Sequence, residues 1–223
     1  MEFVIGETPE IITISGFNPI RREIAKRSLG KLIQDGRINP TRIEETVEQC
    51  QEELDANIEE LGQDSVLEFG FSGMHPELIK LLGALHFRTS YTQNNLSHSI
   101  EVAHFSRMIA AELGVDTNIA ARAGLLHDIG KAVSAEVDGP HALVGADLAK
   151  KYGEKPIIVD SIASHHDDVV TKSIYGIIIH LADAISASRP GARKETLAAY
   201  IKRLEQLEDI ANTFEGVKKA YAL

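Results

Sequence analysis

The chain has 223 residues, of which 43% are hydrophobic, and a formal net charge of −10. This length fits one domain or two modest ones, with enough apolar content for a substantial core. The negative charge argues against broad electrostatic binding of nucleic acid, which normally uses a basic surface, although a local basic strip is compatible with it.

The cysteine content and the apolar segments indicate the cellular compartment in which the chain is expected. A single cysteine, Cys50, excludes an internal disulfide and suits reducing conditions. The N-terminus lacks the basic region and long apolar run of a signal peptide. The most apolar segment, residues 174–185, is too short to span a bilayer. We therefore expect a soluble, cytoplasmic polypeptide.

The first forty residues predict a small α+β unit. Residues 2–5 and 10–15 have the composition of two short strands. Asn18 as N-cap and Pro19 at the first helical position then begin a helix that ends before Gly36. A hairpin with one helix offers a marginal core, so this unit looks incomplete.

The rest of the chain predicts helices only. In residues 41–61, apolar side chains recur at spacings of three and four with glutamates opposite, so this helix either docks on the body or pairs in a dimer. From His75 onward, glycines and prolines separate successive helical segments. These helices are predicted at residues 76–86, 93–113, 117–129, 141–152, 156–166, 173–187 and 194–211.

His127 and Asp128 end an apolar helical stretch. An imidazole and a carboxylate are costly in surroundings that exclude water, unless a cation lies between them. Together they form a ligand set for a divalent metal of the Mn, Fe or Zn type. Asp183 lies in a segment that is apolar on nearly all sides, so it also requires a partner cation. The sequence therefore predicts a metal site.

Other residues are candidates by their positions on the predicted helices. His180 precedes Asp183 by one turn, where it either orients that carboxylate or is a satisfied core histidine. Lys131 either meets a phosphate oxygen or is an ordinary solvated lysine, and Arg189 and Arg193 leave the same two alternatives open. The remaining candidates are His98 on the 93–113 helix, His141 at the start of a helix, and His165 and His166 at the end of another.

The order of His98, His127 with Asp128, and Asp183, on three helices, resembles the HD-domain metal-dependent phosphohydrolases. In that superfamily the four residues converge on a metal in the core of a helical domain. His141, His165 and His166 are similar to the branch with two metals, although any of them could instead lie outside the ligand shell. The resemblance implies that Asp128 bridges two ions, one held by His98, His127 and Asp183, the other by His141, His165 and His166.

This site implies a reaction class. Two metal ions about 3.5–4 Å apart activate water and neutralise charge during displacement at a phosphoryl group. No Walker-type loop or nucleophilic serine or cysteine centre competes with the site. We expect metal-dependent phosphoester hydrolysis with His127, Asp128 and Lys131 as the catalytic residues. The expected cofactor is a pair of divalent ions, Mn²⁺ or Mg²⁺, with Fe²⁺ or Zn²⁺ as alternatives.

Five strings spread over essentially the whole chain carry a wider resemblance: FNPIRREIA (17–25), KLIQDGRI (31–38), HPELIKLLG (75–83), RTSY (88–91) and RPGAR (189–193). They are similar to the ribonuclease Y family. The resemblance implies a bacterial endoribonuclease that initiates mRNA decay by cleaving single-stranded RNA. It also implies a homodimer, RNA-degradation proteins as further partners, and no direct membrane contact by this polypeptide.

The resemblance also suggests a domain organisation. Members of that family carry a membrane anchor at the inner face of the bacterial cell membrane, a long coiled coil, a KH domain, an HD domain and a C-terminal domain. We expect a mostly α fold: a KH-domain remnant (1–38), a linker helix and connection (39–74), an all-helical HD domain (75–188) and the start of the C-terminal region (189–223). The GxxG loop that clamps RNA in KH domains is missing.

The basic side chains of the first helix leave two interpretations open. Arg21, Arg22, Lys26, Arg27 and Lys31 form either a nucleic-acid face or a solvated helix surface. The function also has alternatives. A nucleotide phosphohydrolase suits the acidic charge better than a polymer-cleaving enzyme does, and a non-catalytic scaffold of RNA decay is the third hypothesis.

Overall fold

A computed structural model of the chain describes residues 2–5, 11–90, 93–134, 136–137, 139–166 and 169–189, with single residues and short runs between 204 and 221. Helices dominate this part of the chain, and the predicted mostly α fold is confirmed. The prediction of a helix over 194–211 falls largely outside the described residues, as do Arg193 and the turn between the first two strands.

The N-terminal unit is a hairpin followed by one helix. Strands β1 (Glu2–Ile5) and β2 (Ile12–Ser15) pair in antiparallel fashion. Helix α1 (Pro19–Asp35) begins where the side chain of Asn18 accepts a hydrogen bond from a backbone N–H of the first turn. It ends at Gly36, whose φ of 70° lies in the left-handed region that glycine tolerates.

Helix α2 (Pro40–Glu68) continues seven residues beyond the predicted end at Leu61. Gly62 lies inside the helix and does not end it. It allows α2 to pack closely against the next helix. A Cβ atom at Gly62 would collide with the backbone carbonyl of Ile79 on the next helix. The α2 helix packs on α1 and on the body of the same chain, which is the docked arrangement that its amphipathic pattern allows.

Within the described residues, the body contains six further helices. α4 packs against α5 and α8, and α6 packs against α7. Their apolar faces meet in one core that includes Leu82, Leu125 and Ile179, each fully buried. Burying one such side chain contributes about 2 kcal/mol. The helices are α3 (Pro76–Ala84), α4 (Asn95–Glu112), α5 (Thr117–Leu126), α6 (His141–Lys151), α7 (Pro156–Ala163) and α8 (Ile174–Ser188).

Three details differ from the predicted helices. The 117–129 helix ends at Leu126, and the chain tightens into a 3₁₀ segment, Ile129–Val133, after the His127–Asp128 doublet. The 156–166 helix ends at Ala163. The body also holds a two-residue ladder, in which strand β3 (Thr89–Ser90) pairs with strand β4 (Gln93–Asn94) after a 3₁₀ turn, Leu85–Phe87. None of the described helices is long and apolar enough to cross a membrane.

Candidate metal centre

The end of α5 brings His127 and Asp128 into the core. Gly124 allows this position, because a Cβ atom there would lie 2.8 Å from the Ser106 hydroxyl and 3.1 Å from the Ala103 Cα on α4. The two helices therefore approach closely, and the doublet is almost completely buried, with 0% of His127 and 1% of Asp128 exposed. Burial at this depth requires that both polar groups have partners.

One carboxylate oxygen of Asp128 faces residues from α4 and α5. Its Oδ2 lies 3.5 Å from Nε2 of His127 and 3.8 Å from Nε2 of His98. The Nε2 of His98 in turn lies 3.0 Å from Oδ1 of Asp183 on α8. The structure thus brings two imidazoles and two carboxylates from three parts of the chain together, which is the convergence that the resemblance implies.

The other oxygen of Asp128 faces the start of α6 and the segment after α7. Its Oδ1 lies 3.3 Å from Nε2 of His141 and 3.9 Å from Nε2 of His165. The Nε2 of His166 is 3.0 Å from that of His141. Candidate ligand atoms lie within 4.8 Å of one another in each of two groups, His141 with His165 and His166, and His98 with His127 and Asp128.

Two buried imidazoles present unpaired nitrogens. The Nδ1 atoms of His127 and His165 lie 2.7 Å and 2.6 Å from the carbonyls of Gly124 and Ile162. A carbonyl can only accept, so each Nδ1 carries the hydrogen and each Nε2 presents a lone pair. Within the described residues these two Nε2 atoms have no hydrogen-bond partner. An unsatisfied buried group costs about 1–3 kcal/mol, so the arrangement fits metal ions that accept these lone pairs.

The electrostatics also suit a cation. Burial lowers the pKa of His165 to about 3 and lowers that of His127 as well, so both rings are neutral near pH 7. Burial alone would raise the pKa of Asp128, but the neighbouring His127, His141 and Lys131 hold it well below its usual range. Burial alone would raise the pKa of Asp183 as well, but the adjacent His98 holds it below its usual range. Neutral imidazoles and ionised carboxylates are the forms that bind metal.

A family model for the HD domain matches residues 95–188 of the chain. This part of the chain is therefore similar to the HD domain family. Over all 223 residues it is 57% identical to ribonuclease Y of Clostridium kluyveri, 57% identical to that of Thermoanaerobacter pseudethanolicus and 58% identical to that of Acetivibrio thermocellus. The expected similarity to ribonuclease Y is confirmed.

The chain spans less than half the length of these relatives. It covers 43% of the protein from C. kluyveri, 44% of that from T. pseudethanolicus and 43% of that from A. thermocellus, and all of the chain is matched in each comparison. No solved structure matches the chain.

The region that matches the HD-domain model contains a supporting network that the sequence did not reveal. The Ser186 hydroxyl donates to Oε2 of Glu101 at 2.5 Å and lies 2.9 Å from Nδ1 of His98. Since the single hydroxyl proton goes to Glu101, the oxygen accepts from His98 Nδ1. This bond fixes the ring so that Nε2 faces the centre. Helical spacing is the available signal: Glu101 follows His98 by three residues, and Ser186 follows Asp183 by three.

The sequence left two interpretations open for each of Lys131, Arg189 and His180, and the structure shows the contacts that each residue makes. The Lys131 ammonium lies 2.6 Å from Oδ2 of Asp128, so it is at the centre rather than free in solvent. Arg189 pairs with Glu101 at 2.5 Å. The Nδ1 of His180 lies 2.9 Å from the carbonyl of His165, and the residue is exposed. His180 is therefore neither a core histidine nor a hydrogen-bond partner of Asp183.

Proposed function

We propose that the chain is a metal-dependent endoribonuclease that hydrolyses phosphodiester bonds of single-stranded RNA and initiates mRNA decay in bacteria. The observation that carries the proposal is the position of Asp128, whose two oxygens face two separate groups of imidazoles. The similarity of the full chain to proteins named ribonuclease Y supports RNA as the substrate.

Two divalent ions are proposed at this centre. His98, His127 and Asp183 would hold one ion, His141, His165 and His166 the other, and Asp128 would contact both. When bound, such ions supply an activated water and neutralise charge on the phosphoryl oxygens. The donor set is rich in imidazole, which suits Mn²⁺, Fe²⁺ or Zn²⁺ better than Mg²⁺, a cation that prefers oxygen ligands.

The side chains of the centre have distinct tasks in this proposal. His127 and His165 are completely buried and keep bulk water away from one side of the centre. Lys131 lies at the accessible side, with 22% of its side chain exposed, and its flexible stem lets the ammonium turn from Asp128 to a phosphate oxygen. It would then offset charge that develops on the phosphate during bond cleavage.

Cleavage of a 5′-labelled single-stranded RNA tests the proposal. We expect cleavage with Mn²⁺ or Mg²⁺, none with EDTA, and a rate at least about 100-fold lower in Asp128→Asn. Asp147→Asn is the matched control, because Asp147 is an exposed aspartate on α6, a helix that also begins at the centre. Cleavage that survives EDTA, or full activity of Asp128→Asn, contradicts the proposal.

A nucleotide phosphohydrolase is the second candidate, favoured by the net charge of −10, which repels a polyanion more than a small substrate. Competition separates the two functions: mononucleotides in excess should not inhibit cleavage of RNA by an endoribonuclease. A non-catalytic scaffold would show equal decay of RNA with the unmodified chain and with a variant carrying both His127→Ala and Asp128→Ala. A homodimer and RNA-degradation partners remain proposals from the resemblance alone.

A further inference from the structure

A groove of about 740 Å³ separates the N-terminal unit from the body. β2, α1, α2 and the residues around the Leu85–Phe87 turn line it. Three cations, Arg22, Lys26 and Arg27, lie in its wall together with a single carboxylate, Glu23. In a chain with a net charge of −10, this is a local excess of positive charge.

Arg22 is the cation of this wall that is not neutralised. Glu23 accepts hydrogen bonds from Lys26 at 3.4 Å and from Arg27 at 3.0 Å, so the one carboxylate is already shared by two partners. Arg22 instead donates to the backbone carbonyl of Gly16 at 2.7 Å. Among the described residues it has no carboxylate within ion-pair distance. Its charge therefore remains available to an anion in the groove.

Arg88 is a second unneutralised cation, and it is partly buried. Its side chain forms no hydrogen bond or ion pair with any described residue. Its carbonyl accepts from the backbone N–H of Asn95 at 3.0 Å, three residues before His98 on α4. Burial and the nearby Arg22 lower the pKa of Arg88, whereas the Asp128 carboxylate opposes them. The Arg88 guanidinium thus interacts electrostatically with Arg22 of the groove and with Asp128 of the metal centre.

The groove and the centre share one wall. The Leu85–Phe87 turn contacts α1 on one side and the Ile129–Val133 segment, which follows Asp128, on the other. Phe87 and Thr89 line the groove, whereas Arg88, which lies between them in the chain, is adjacent to the lining and not part of it. The Phe87 ring has Arg27 5.8 Å from its centroid. An aromatic ring beside cations is a typical surface for a single-stranded nucleic acid, because bases stack on it without sequence preference.

We propose that Arg22 and Arg88 bind phosphate groups of a single-stranded RNA that runs along this groove to the metal centre. The inference rests on the proposed function and adds the path of the substrate. A partly buried guanidinium beside another cation is unfavourable until an anion arrives, and a phosphodiester backbone supplies one negative charge per nucleotide. The acidic remainder of the surface would confine the polymer to this path.

Binding measured without cleavage tests the inference. A 5′-fluorescein 12-nucleotide RNA is titrated with the 223-residue chain in EDTA, and fluorescence anisotropy gives the affinity between 20 and 150 mM KCl. For single strands, the slope of log K against log [salt] is about −0.7 per phosphate contact. We expect Arg22→Gln and Arg88→Gln each to reduce the slope by about 0.7, and the double variant to reduce it by about 1.4.

Arg21→Gln is the matched control, because Arg21 lies on the same helix but outside the groove. We expect an unchanged slope for it and an unchanged Mn²⁺ affinity, measured by calorimetry, for Arg21→Gln and Arg22→Gln. No binding by the unmodified chain, no slope change in Arg88→Gln, or an equal loss in Arg21→Gln overturns the inference.

The outcomes also separate this inference from the proposed function. If the unmodified chain cleaves RNA with Mn²⁺ but the arginine variants keep the full salt slope, the function stands and the groove has no role. If the slopes fall as expected but no metal-dependent cleavage occurs, the groove binds RNA and the nuclease proposal fails.

Discussion

The hydroxyl of Ser186 lies 2.9 Å from Nδ1 of His98 and donates its own proton to Glu101. A ring held in this way keeps Nε2 directed at Asp183 and Asp128. Partners of this kind fix the tautomer and the orientation of a metal-binding histidine. The network thus links the partly exposed Glu101 to the buried ring of His98.

The first prediction concerns metal affinity. Ser186→Ala and Glu101→Gln should each weaken Mn²⁺ binding by about 10-fold, because the His98 ring is then free to rotate. Isothermal titration calorimetry on the metal-free chain measures this directly. Ser188→Ala is the control on the same helix, since its hydroxyl contacts only a backbone carbonyl. Equal affinities for Ser186→Ala and Ser188→Ala would show that the network does not orient the ring.

The second prediction concerns Lys131. In the metal-free chain its ammonium compensates the buried carboxylate of Asp128, at 2.6 Å. Lys131→Met should therefore destabilise the chain in EDTA by about 3 kcal/mol, because it leaves a buried charge with fewer partners. Bound Mn²⁺ would replace that charge, so the rise in melting temperature on adding Mn²⁺ should be larger in the variant. Lys172→Met, an exposed lysine, provides the control. An equal rise in all three proteins contradicts this account.

The third prediction is a dependence of stability on pH without metal. The folded-state pKa of His165 is about 3, against 6.5 for an unperturbed histidine, so between these values only the unfolded chain binds the proton. Stability should fall as pH drops below 6.5, by about 1.4 kcal/mol per pH unit from this residue. The lowered pKa values of Asp128 and Asp183 act in the same direction at still lower pH.

Urea unfolding in EDTA at pH 7.5, 6.5, 5.5 and 4.5 measures this effect. His165→Asn should flatten the decline, because the side chain that gains a proton on unfolding is gone. His86→Asn, at an exposed histidine, should keep the slope of the unmodified chain. Parallel curves for the unmodified chain and His165→Asn would disprove the assignment.

The fourth prediction concerns the contact of α2 with α3. Gly62→Ala should destabilise the chain by about 2 kcal/mol, because the new methyl group collides with the Ile79 carbonyl and the backbones must separate. Gly30→Ala is the matched control in α1, where a Cβ atom meets nothing within 4 Å. It should stabilise the chain by up to about 1 kcal/mol. Thermal unfolding of both variants gives the comparison, and two stabilising substitutions would contradict the packing role of Gly62.

The sequence indicated which residues come together better than it indicated their surroundings. His127 and Asp128 were recognisable because two polar groups at the end of an apolar helix are costly without a cation. The close approach at Gly62 was not predictable, since a glycine that ends a helix and one that packs against a neighbour look alike in one sequence. The roles of Ser186 and Arg88 depend on neighbours that are distant in the chain, a hydrogen bond for Ser186 and nearby charges for Arg88. Local periodicity does not report such contacts.

The close packing of α2 against α3 has a consequence for the groove. Gly83 repeats the arrangement of Gly62, since a Cβ atom there would strike the Ile58 carbonyl. Close packing at these two glycines leaves α2 little freedom to slide along α3. Helix α2 in turn packs against α1, which forms one wall of the groove. The groove is therefore preformed. The proposed RNA would then lose little binding free energy to the ordering of the protein.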